Sequence, residues 1–445
     1  MSAGASPVPA RTVLRLAGPA LPVLAAEPLY LLVDTAVVGR LGAVPLAGLA
    51  VGGVLFAQVT TQLTFLSYGT TARAARLHGA GRRHEAVAEG VQATWLALAI
   101  GVLVIAVGQA VAEPVAGALG GGGDVSEAAV TWLRVALLGA PMVLVTLAGN
   151  GWMRGVQDTA RPMRYVLAGN TLSALLCPLL VHGAGGFDGW GLVGSAWANV
   201  VGQTVGATLF LAALWRERAS HPVVLRPEPA RIRSQLVLGR DLLARSLAFQ
   251  ACFLSAAAVA ARFGAAPLAA HQIVLQLWFF MALVLDAVAI AAQSLVGAAL
   301  GSGGVAAARA VSRQVTRYGL VLGIGFGALF AVLAGVLPPL FATDAAVLAA
   351  VVVPWWFFVA MQPVAGVVFA LDGVLLGAGD AAFLRTATLA AAAGGFLPLV
   401  WAALVFDWGL AGIWSGLAAF MLIRLGTVVW RERSGRWAVP GAART

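Results

Sequence analysis

Long apolar runs separated by short polar connections extend along almost the whole chain. Each run has about 20 residues or more, the length that a helix needs to cross the hydrocarbon core of a bilayer. The pattern therefore predicts an all-α integral membrane protein. Its twelve predicted spans lie at residues 13–38, 44–72, 86–112, 126–153, 162–182, 190–215, 235–261, 267–300, 305–337, 346–376, 382–405 and 409–430.

Composition supports this class and narrows the function. Hydrophobic residues make up 60% of the chain and charged residues 10%, which excludes an ordinary soluble domain. The net charge of +10 does not indicate nucleic-acid binding, because the arginines are spread over short loops and form no long basic stripe. The sequence shows no metal-ligand spacing, nucleotide-binding loop or nucleophile motif. We therefore expect a protein that is not an enzyme and that needs no metal or cofactor.

The distribution of arginine predicts the orientation in the membrane. Connections after even-numbered spans carry most of the arginines, whereas the connections after odd-numbered spans carry only Arg40 and Arg262. Because positively charged loops stay in the cytoplasm, the even connections and both termini are predicted to be cytoplasmic. Both termini can share one side only if the number of spans is even, which agrees with twelve.

The longest polar connection covers residues 216–234 and contains two Pro-rich stretches. It predicts a cytoplasmic linker between an N-terminal lobe, residues 1–215, and a C-terminal lobe, residues 235–445. The lobes resemble each other: RLGAVPLA from Arg40 matches RFGAAPLA from Arg262, at an offset of 222 residues. Six spans per copy give both copies the same orientation, related by a pseudo-two-fold axis along the membrane normal. Parallel repeats of this kind are typical of secondary transporters.

Two acidic residues in the first apolar run are the leading candidates for function. A carboxylate in the middle of a membrane costs a few kcal/mol or more, so it usually faces water and has a role there. Glu27 and Asp34 are seven residues apart, or two helical turns, and so project from one face. Pro22 and Pro28 predict that this helix can bend. We predict that the helix handles the coupling ion of a transporter.

The repeat identifies two further acids that occur in one copy only. Asp286 lies opposite Thr64, and Asp372 lies opposite Asn150. Residues present in one copy are better candidates for ion or proton coupling than residues that the common fold requires. The alternative for Asp372 is a gate or loop anchor, because it lies close to the turn that follows Gly377.

A substrate cavity in such a protein needs aromatic and polar walls. Aromatic side chains can bind cations at about 1–2 kcal/mol each where water is excluded. The predicted cavity residues are the aromatic Tyr30, Phe65, Trp278 and Phe279 and the polar Thr64, Asn150 and Asn170. For each of them the alternative is a role in packing or in a hydrogen bond between helices.

Several motifs resemble one transporter family across essentially the whole chain. Residues 21–42, LPVLAAEPLYLLVDTAVVGRLG, look like the first helix of the multidrug and toxic compound extrusion (MATE) family, in its DinF-like bacterial branch. Further similar stretches are AHQI at 270–273, LD at 285–286 with QSLVG at 293–297, and LDG at 371–373. The resemblance implies two six-helix bundles and a site role for Asp34.

The same resemblance implies a function and a location. It implies antiport of small organic compounds, cationic or amphipathic, against H⁺ or Na⁺ by alternating access, carried out by a monomer in the bacterial inner membrane. Members of this branch usually carry an Asn and an Asp in the fifth helix, where this chain has Ser173 and Cys177. This departure favours H⁺ over Na⁺ as the coupling ion.

Two other functions stay open at this point. A flippase of lipid-linked precursors would require a cavity rich in basic side chains to hold phosphate, whereas the predicted membrane interior is biased toward acids. A membrane-embedded enzyme would require a His/Glu or Ser/His cluster inside the spans, and the sequence shows none.

Overall fold

A computed structural model describes residues 9–442 of the 445-residue chain. Within this range the chain is almost entirely helical and forms no β-strand. The α-helices are α1 Ala10–Ala17, α2 Ala20–Val38, α3 Ala43–Gln62, α4 Phe65–Gly79, α5 Arg83–Gly120, α6 Gly123–Leu138, α7 Ala140–Gly155, α8 Ala160–His182, α9 Leu192–Ser220, α10 Pro229–Arg262, α11 Ala265–Gly301, α12 Val305–Val332, α13 Leu337–Phe341, α14 Ala345–Gly377, α15 Ala381–Ala391, α16 Leu397–Val405 and α17 Gly409–Ser434.

The predicted membrane fold is confirmed. Eleven helical segments of the described residues are long and apolar enough to cross a membrane. The pair α6 and α7, bent by 47° at a short break, forms a twelfth when it is counted as one span. Pro141 in the first turn of α7 explains this break, since proline cannot continue the hydrogen-bond ladder of a preceding helix.

Other predicted spans are interrupted rather than displaced. The first is split between α1 and α2 at Gly18 and Pro19, and the second is split between α3 and α4 at Leu63 and Thr64. A π-turn at Ala392–Phe396 joins α15 to α16 just before Pro398. Breaks inside a membrane are tolerated where neighbouring groups satisfy the freed backbone atoms.

The chain divides into two compact units, here called the N-terminal and C-terminal units. The N-terminal unit comprises Gly18–Gly239, and the C-terminal unit comprises the described residues 9–17 and 240–442. Helix α1 belongs to the C-terminal unit, where it packs on α11. The sequence placed a linker at 216–234, but α9 and α10 extend into it and only residues 221–228 are non-helical.

This non-helical connection is fixed to α5 in the N-terminal unit. Gln92, which is fully buried, donates from Nε2 to the carbonyl of Arg226 at 3.0 Å and accepts at Oε1 from the backbone N–H of Glu228 at 2.8 Å. Trp95 Nε1 donates to the carbonyl of Leu225 at 2.7 Å. These three backbone groups of the connection have no hydrogen-bond partner within a helix, and two side chains of α5 provide partners for them.

Replacing Gln92 by Met should loosen this connection. The change removes two hydrogen bonds, each worth about 1 kcal/mol, and leaves two backbone groups without a partner. We expect faster chymotryptic cleavage after Leu225 in the purified protein, with little change elsewhere. The matched control is Gln109→Met on the same helix, whose side chain bonds the Arg134 carbonyl instead. Equal cleavage of the two variants at Leu225 would show that Gln92 does not fix the connection.

The two copies of the sequence repeat fold alike at their motifs. Gly42 and Gly264 precede α3 and α11 with φ of 120° and 110°, a conformation that other residues rarely adopt. Gly151 of α7 and Gly373 of α14 are both pressed against a backbone carbonyl of a neighbouring helix, so that neither has room for a Cβ atom. In both copies, therefore, glycine brings two helices into close contact.

Candidate functional site: an acidic cavity in the N-terminal unit

A cavity of about 260 Å³ lies inside the N-terminal unit. This volume approaches the range of small-molecule binding sites, roughly 300–1,000 Å³. Its walls are formed by Val23, Glu27, Tyr30, Leu31, Asp34, Gly53, Phe56, Ala57, Thr60, Thr61, Thr64, Trp132, Val143, Thr146, Leu147, Asn150, Val166, Asn170, Asn199 and Gln203.

Helix α2 presents one face to this cavity. The predicted pair Glu27 and Asp34 both lie on the wall, with Tyr30 between them. Asp34 is only 1% exposed, whereas Glu27 is exposed. The α2 residues on the wall recur every three or four positions, which is the spacing of a helix face. One end of this face therefore offers an accessible carboxylate and the other a buried one.

The carboxylate of Asp34 has a partner on α8. Cys177, which is fully buried, donates from Sγ to Asp34 Oδ1 at 3.3 Å. Cys177 is one of the two residues at which the sequence departs from the pattern that the resemblance implies, and it lies directly beside this carboxylate. A thiol is a weak donor and leaves the oxygen able to accept a stronger one.

The break between α3 and α4 supplies hydroxyl groups to the cavity. Thr64 donates from Oγ1 to the carbonyl of Thr61 at 2.8 Å, and Thr60 donates to the carbonyl of Phe56 at 3.1 Å. These bonds occupy carbonyls near the break and hold the threonine side chains in place. Irregular backbone at membrane depth is expected where it lines a cavity.

Amide side chains from three helices line another part of the cavity. Asn150 comes from α7, Asn170 from α8, and Asn199 and Gln203 from α9. Asn170 donates from Nδ2 to the Val166 carbonyl of its own helix at 3.0 Å. Among the described residues, no group donates to Oδ1 of Asn150 or of Asn170. These buried oxygens are therefore suited to accept hydrogen bonds from a ligand.

The aromatic part of the wall is held rigidly. Trp132 of α6 donates from Nε1 to Ser195 Oγ at 3.1 Å and packs edge-on against Phe56, with ring centroids 6.3 Å apart. Fixed aromatic rings of this kind can contact an organic ligand without loss of side-chain freedom.

The cavity carries one sign of charge. Glu27 and Asp34 are acidic, and none of the described residues on its walls is basic. A surface lined by one sign of charge attracts ligands of the opposite sign. The arrangement can therefore bind a proton or an organic cation at a carboxylate that lies next to hydrogen-bond acceptors and aromatic rings.

The structure brings together about half of the residues predicted for the site. Glu27, Tyr30, Asp34, Thr64, Asn150 and Asn170 all line the cavity. Both Pro22 and Pro28 lie in α2, the helix that carries the two acids.

The remaining predicted residues lie elsewhere. Phe65 is buried with its ring against Gly239. In the C-terminal unit, Trp278 is buried in the apolar core, and Phe279 is exposed and packs edge-on against Phe253 at 5.1 Å. Asp286 is half-buried on α11.

The other predicted acid, Asp372, is buried in the C-terminal unit. It forms ion pairs with Arg245 of α10 and with Arg424 of α17. Neither arginine was predicted to contact it.

Several wall residues were not predicted. Asn199 and Gln203 are amide residues four positions apart in the same helix, and this spacing could have identified them as one polar face. Thr146 lies one helical turn before Asn150, so these two polar residues have the same four-residue spacing. Cys177 had no local signal, because its significance depends on contact with Asp34 across 143 residues of sequence.

Filling the cavity should weaken the binding of an organic ligand without unfolding the protein. Gly53 lies on the wall, and nothing lies within 4 Å of the position that its Cβ would take. The leucine side chain would occupy space that a bulky dye needs, so the affinity of Gly53→Leu for the dye should fall about tenfold, or by about 1.4 kcal/mol of binding free energy. The control Gly426→Leu places the same side chain at another glycine with open space around it. Dye binding to the purified protein measures both variants, and equal affinity would show that the cavity does not hold the dye.

Membrane-spanning helices in two units, with an acidic cavity inside one of them, define a multi-pass membrane transporter. The chain belongs to the MatE family, since the family model matches residues 19–179 and again 242–401. One match falls inside each unit. The resemblance to the MATE family is therefore confirmed.

Similar proteins of known name support this assignment. Protein DETOXIFICATION 44, chloroplastic, of Arabidopsis thaliana is 33% identical over 96% of this chain and 83% of its own length. DNA damage-inducible protein F of Escherichia coli K12 is 30% identical over 92% of this chain and 90% of its own length, which confirms the resemblance to the DinF branch.

Solved structures share the fold. One described as MATE in the bent conformation has a TM-score of 0.88, and one described as MATE in the straight conformation has a TM-score of 0.83. Each is 20% identical to this chain, and each match covers 96% of both chains.

Proposed function

We propose that this protein exports small cationic or amphipathic organic compounds in exchange for H⁺ by alternating access. The observation that carries the proposal is the placement of Asp34, which is buried in the wall of an acidic cavity of about 260 Å³. A buried acid in a membrane helix is by default a functional group, because its desolvation is costly.

Competition for one carboxylate is sufficient for exchange. Asp34 binds a proton when the cavity faces one side of the membrane, and it releases that proton when a cationic substrate takes its place on the other side. Glu27 lies two turns away on the same face of α2 and provides a first binding position for either cation. Amide oxygens of Asn150 and Asn170 accept hydrogen bonds from the substrate.

The first spanning helix couples this exchange to movement. Pro28 lies inside α2 beside Glu27, where it removes one backbone donor and weakens the helix. A change in the charge of Asp34 alters the contacts of this face, and Pro22 and Pro28 let the helix change its bend in response. The cavity then opens to the other side of the membrane.

The contact of Cys177 with Asp34 favours H⁺ over Na⁺. A hard cation such as Na⁺ prefers oxygen ligands, whereas the residue that contacts Asp34 Oδ1 presents sulfur. A proton needs only the carboxylate. The flippase alternative requires basic groups for phosphate, and none of the described residues on the cavity walls is basic.

The location of the protein, its orientation and the coupling residues of its C-terminal unit are proposed from the sequence. We propose a location in the bacterial inner membrane with both termini in the cytoplasm, from the distribution of arginine and the likeness to a bacterial relative. The monomeric state stays a prediction from the sequence. Asp286 and Asp372 stay predicted coupling residues of the C-terminal unit.

Transport by the purified protein in liposomes tests the function. Vesicles loaded with a fluorescent cationic dye are given either a pH gradient or a Na⁺ gradient of equal size. We expect dye movement that follows the pH gradient and ignores the Na⁺ gradient. Movement driven by Na⁺ alone would refute proton coupling, and no movement under either gradient would refute antiport of cations.

A further inference from the structure

The C-terminal unit buries a cluster of three charged side chains, here called the arginine cluster. Arg245 of α10 and Arg424 of α17 both donate to the same oxygen, Oδ2, of Asp372 on α14. The Arg424 side chain is 2% exposed and the Arg245 side chain is 15% exposed. Two guanidinium groups share one carboxylate, so these three side chains carry one excess positive charge.

Aromatic rings cover the faces of both guanidinium groups. Phe249 lies 5.5 Å from the guanidinium carbon of Arg245 and 5.1 Å from that of Arg424, and Phe420 lies 5.6 Å from the latter. The edges of the two guanidinium groups still have a free hydrogen-bond donor, because Nε of each arginine has no acceptor among the described residues. A guanidinium edge is the part that binds a planar oxyanion.

The equivalent positions in the N-terminal unit show that the common fold does not require this cluster. By the repeat offset of 222, Arg245 corresponds to Val23 and Phe249 corresponds to Glu27. A later match, WGLVG from Trp190 with WGLAG from Trp408, has an offset of 218, by which Arg424 corresponds to Gly206. One copy of the fold thus holds a cavity with acids, whereas the other copy has two arginines where the first has Val23 and Gly206. Buried excess charge destabilises a protein unless a counter-ion is present.

We propose that Arg245 and Arg424 form a binding site for the carboxylate group of an organic ligand. Asp372 occupies the site from within the protein, and its carboxylate shows which group the two arginines accept. Arg245 is the more exposed of the two, so the ligand approaches from its side. Its carboxylate pairs with Arg245 and balances the excess charge. The site lies within the C-terminal unit and does not depend on proton-coupled export through the N-terminal unit.

Binding to the purified full-length protein tests this site without any transport. The thermal unfolding midpoint is measured in a neutral detergent at constant ionic strength, with increasing sodium benzoate, and with inorganic phosphate in a parallel series. A ligand that binds the folded state raises the midpoint in a concentration-dependent way. We expect benzoate to stabilise the wild type, and we expect phosphate to have a much weaker effect.

Three variants separate the site from a purely structural role. Arg245→Gln leaves Arg424 and Asp372 as a balanced pair, so it should fold normally and lose benzoate affinity by about tenfold or more. Asp372→Asn removes the internal competitor and should bind benzoate more tightly than the wild type. Arg262→Gln removes an exposed arginine from the end of the same helix and should change nothing.

The outcomes are decisive even if Asp372→Asn fails to fold, because Arg245→Gln tests the site alone. An unchanged benzoate response in Arg245→Gln, or no response in the wild type, would overturn the proposal. A loss of folding in Arg245→Gln would show a structural role. Equal stabilisation by phosphate would overturn the assignment to carboxylates and would favour a phosphate-bearing ligand.

Discussion

Replacing Asp34 by Asn should reduce proton-driven dye export to the leak rate of liposomes without protein. The amide has nearly the same shape as the carboxylate and still accepts the hydrogen bond from Cys177, so the cavity should keep its form. It cannot take up or release a proton near neutral pH, and it carries no charge to attract a cation. Export from reconstituted vesicles under a fixed pH gradient measures the effect.

Matched variants show whether the loss of dye export is caused by the change in the cavity. Asp188→Asn makes the same chemical change at an exposed loop position and should leave export unchanged. Glu27→Gln should give a partial loss, because Glu27 lies on the same cavity wall but is exposed. Full export by Asp34→Asn, or an equal loss in Asp188→Asn, would remove Asp34 from the mechanism.

Adding a side chain at the paired glycines of the repeat should have the largest effect on stability. Gly151→Val places Cβ against the backbone of Ser67, and Gly373→Val places it against the backbone of Ala289. Overpacking costs about 1–3 kcal/mol, and more where the obstacle is backbone. We expect each variant to lose its folded, monodisperse form in detergent or to unfold at a clearly lower temperature.

A third glycine provides the control for this comparison. Gly325 of α12 lies inside a helix with nothing within 4 Å of its Cβ position. Gly325→Val introduces the same β-branched side chain and should unfold within a few degrees of the wild type. If all three variants unfold alike, helix propensity rather than close helix packing explains the loss.

The spans of this fold could be predicted from the sequence because a bilayer requires long apolar segments of nearly constant length. The breaks within them were harder to predict. Gly18 with Pro19, and Gly139 with Pro141, are visible signals of interruption. The break at Thr64 contains neither glycine nor proline, and the hydrogen bond from the Thr64 hydroxyl to the Thr61 carbonyl has no recognisable signal in the sequence.

The candidate site could be predicted only in part. Glu27 and Asp34 were recognisable because charge is rare in a membrane helix and because helical spacing places them on one face. Asn199 and Gln203 carry no charge, and their position on the wall depends on how α9 packs against α8. The contact of Cys177 with Asp34 likewise depends on the packing of two distant helices.

In the C-terminal unit, too, the contacts between charged residues could not be predicted from the sequence. Asp372 was singled out because the other copy has Asn150 at that position. Its partners Arg245 and Arg424 lie 127 and 52 residues away in sequence, so no local pattern connects them. A sequence identifies which residues are unusual for a membrane, whereas the fold decides which of them meet.

Counting protons during substrate binding tests most directly whether Asp34 exchanges one cation for another. Purified protein in weakly buffered detergent is mixed with a cationic substrate while a pH indicator reports proton release. The wild type should release protons in proportion to the substrate bound, and Asp34→Asn should bind substrate, if at all, without any release. Proton release that persists in Asp34→Asn, or substrate binding by the wild type with no proton release, would contradict the proposed exchange.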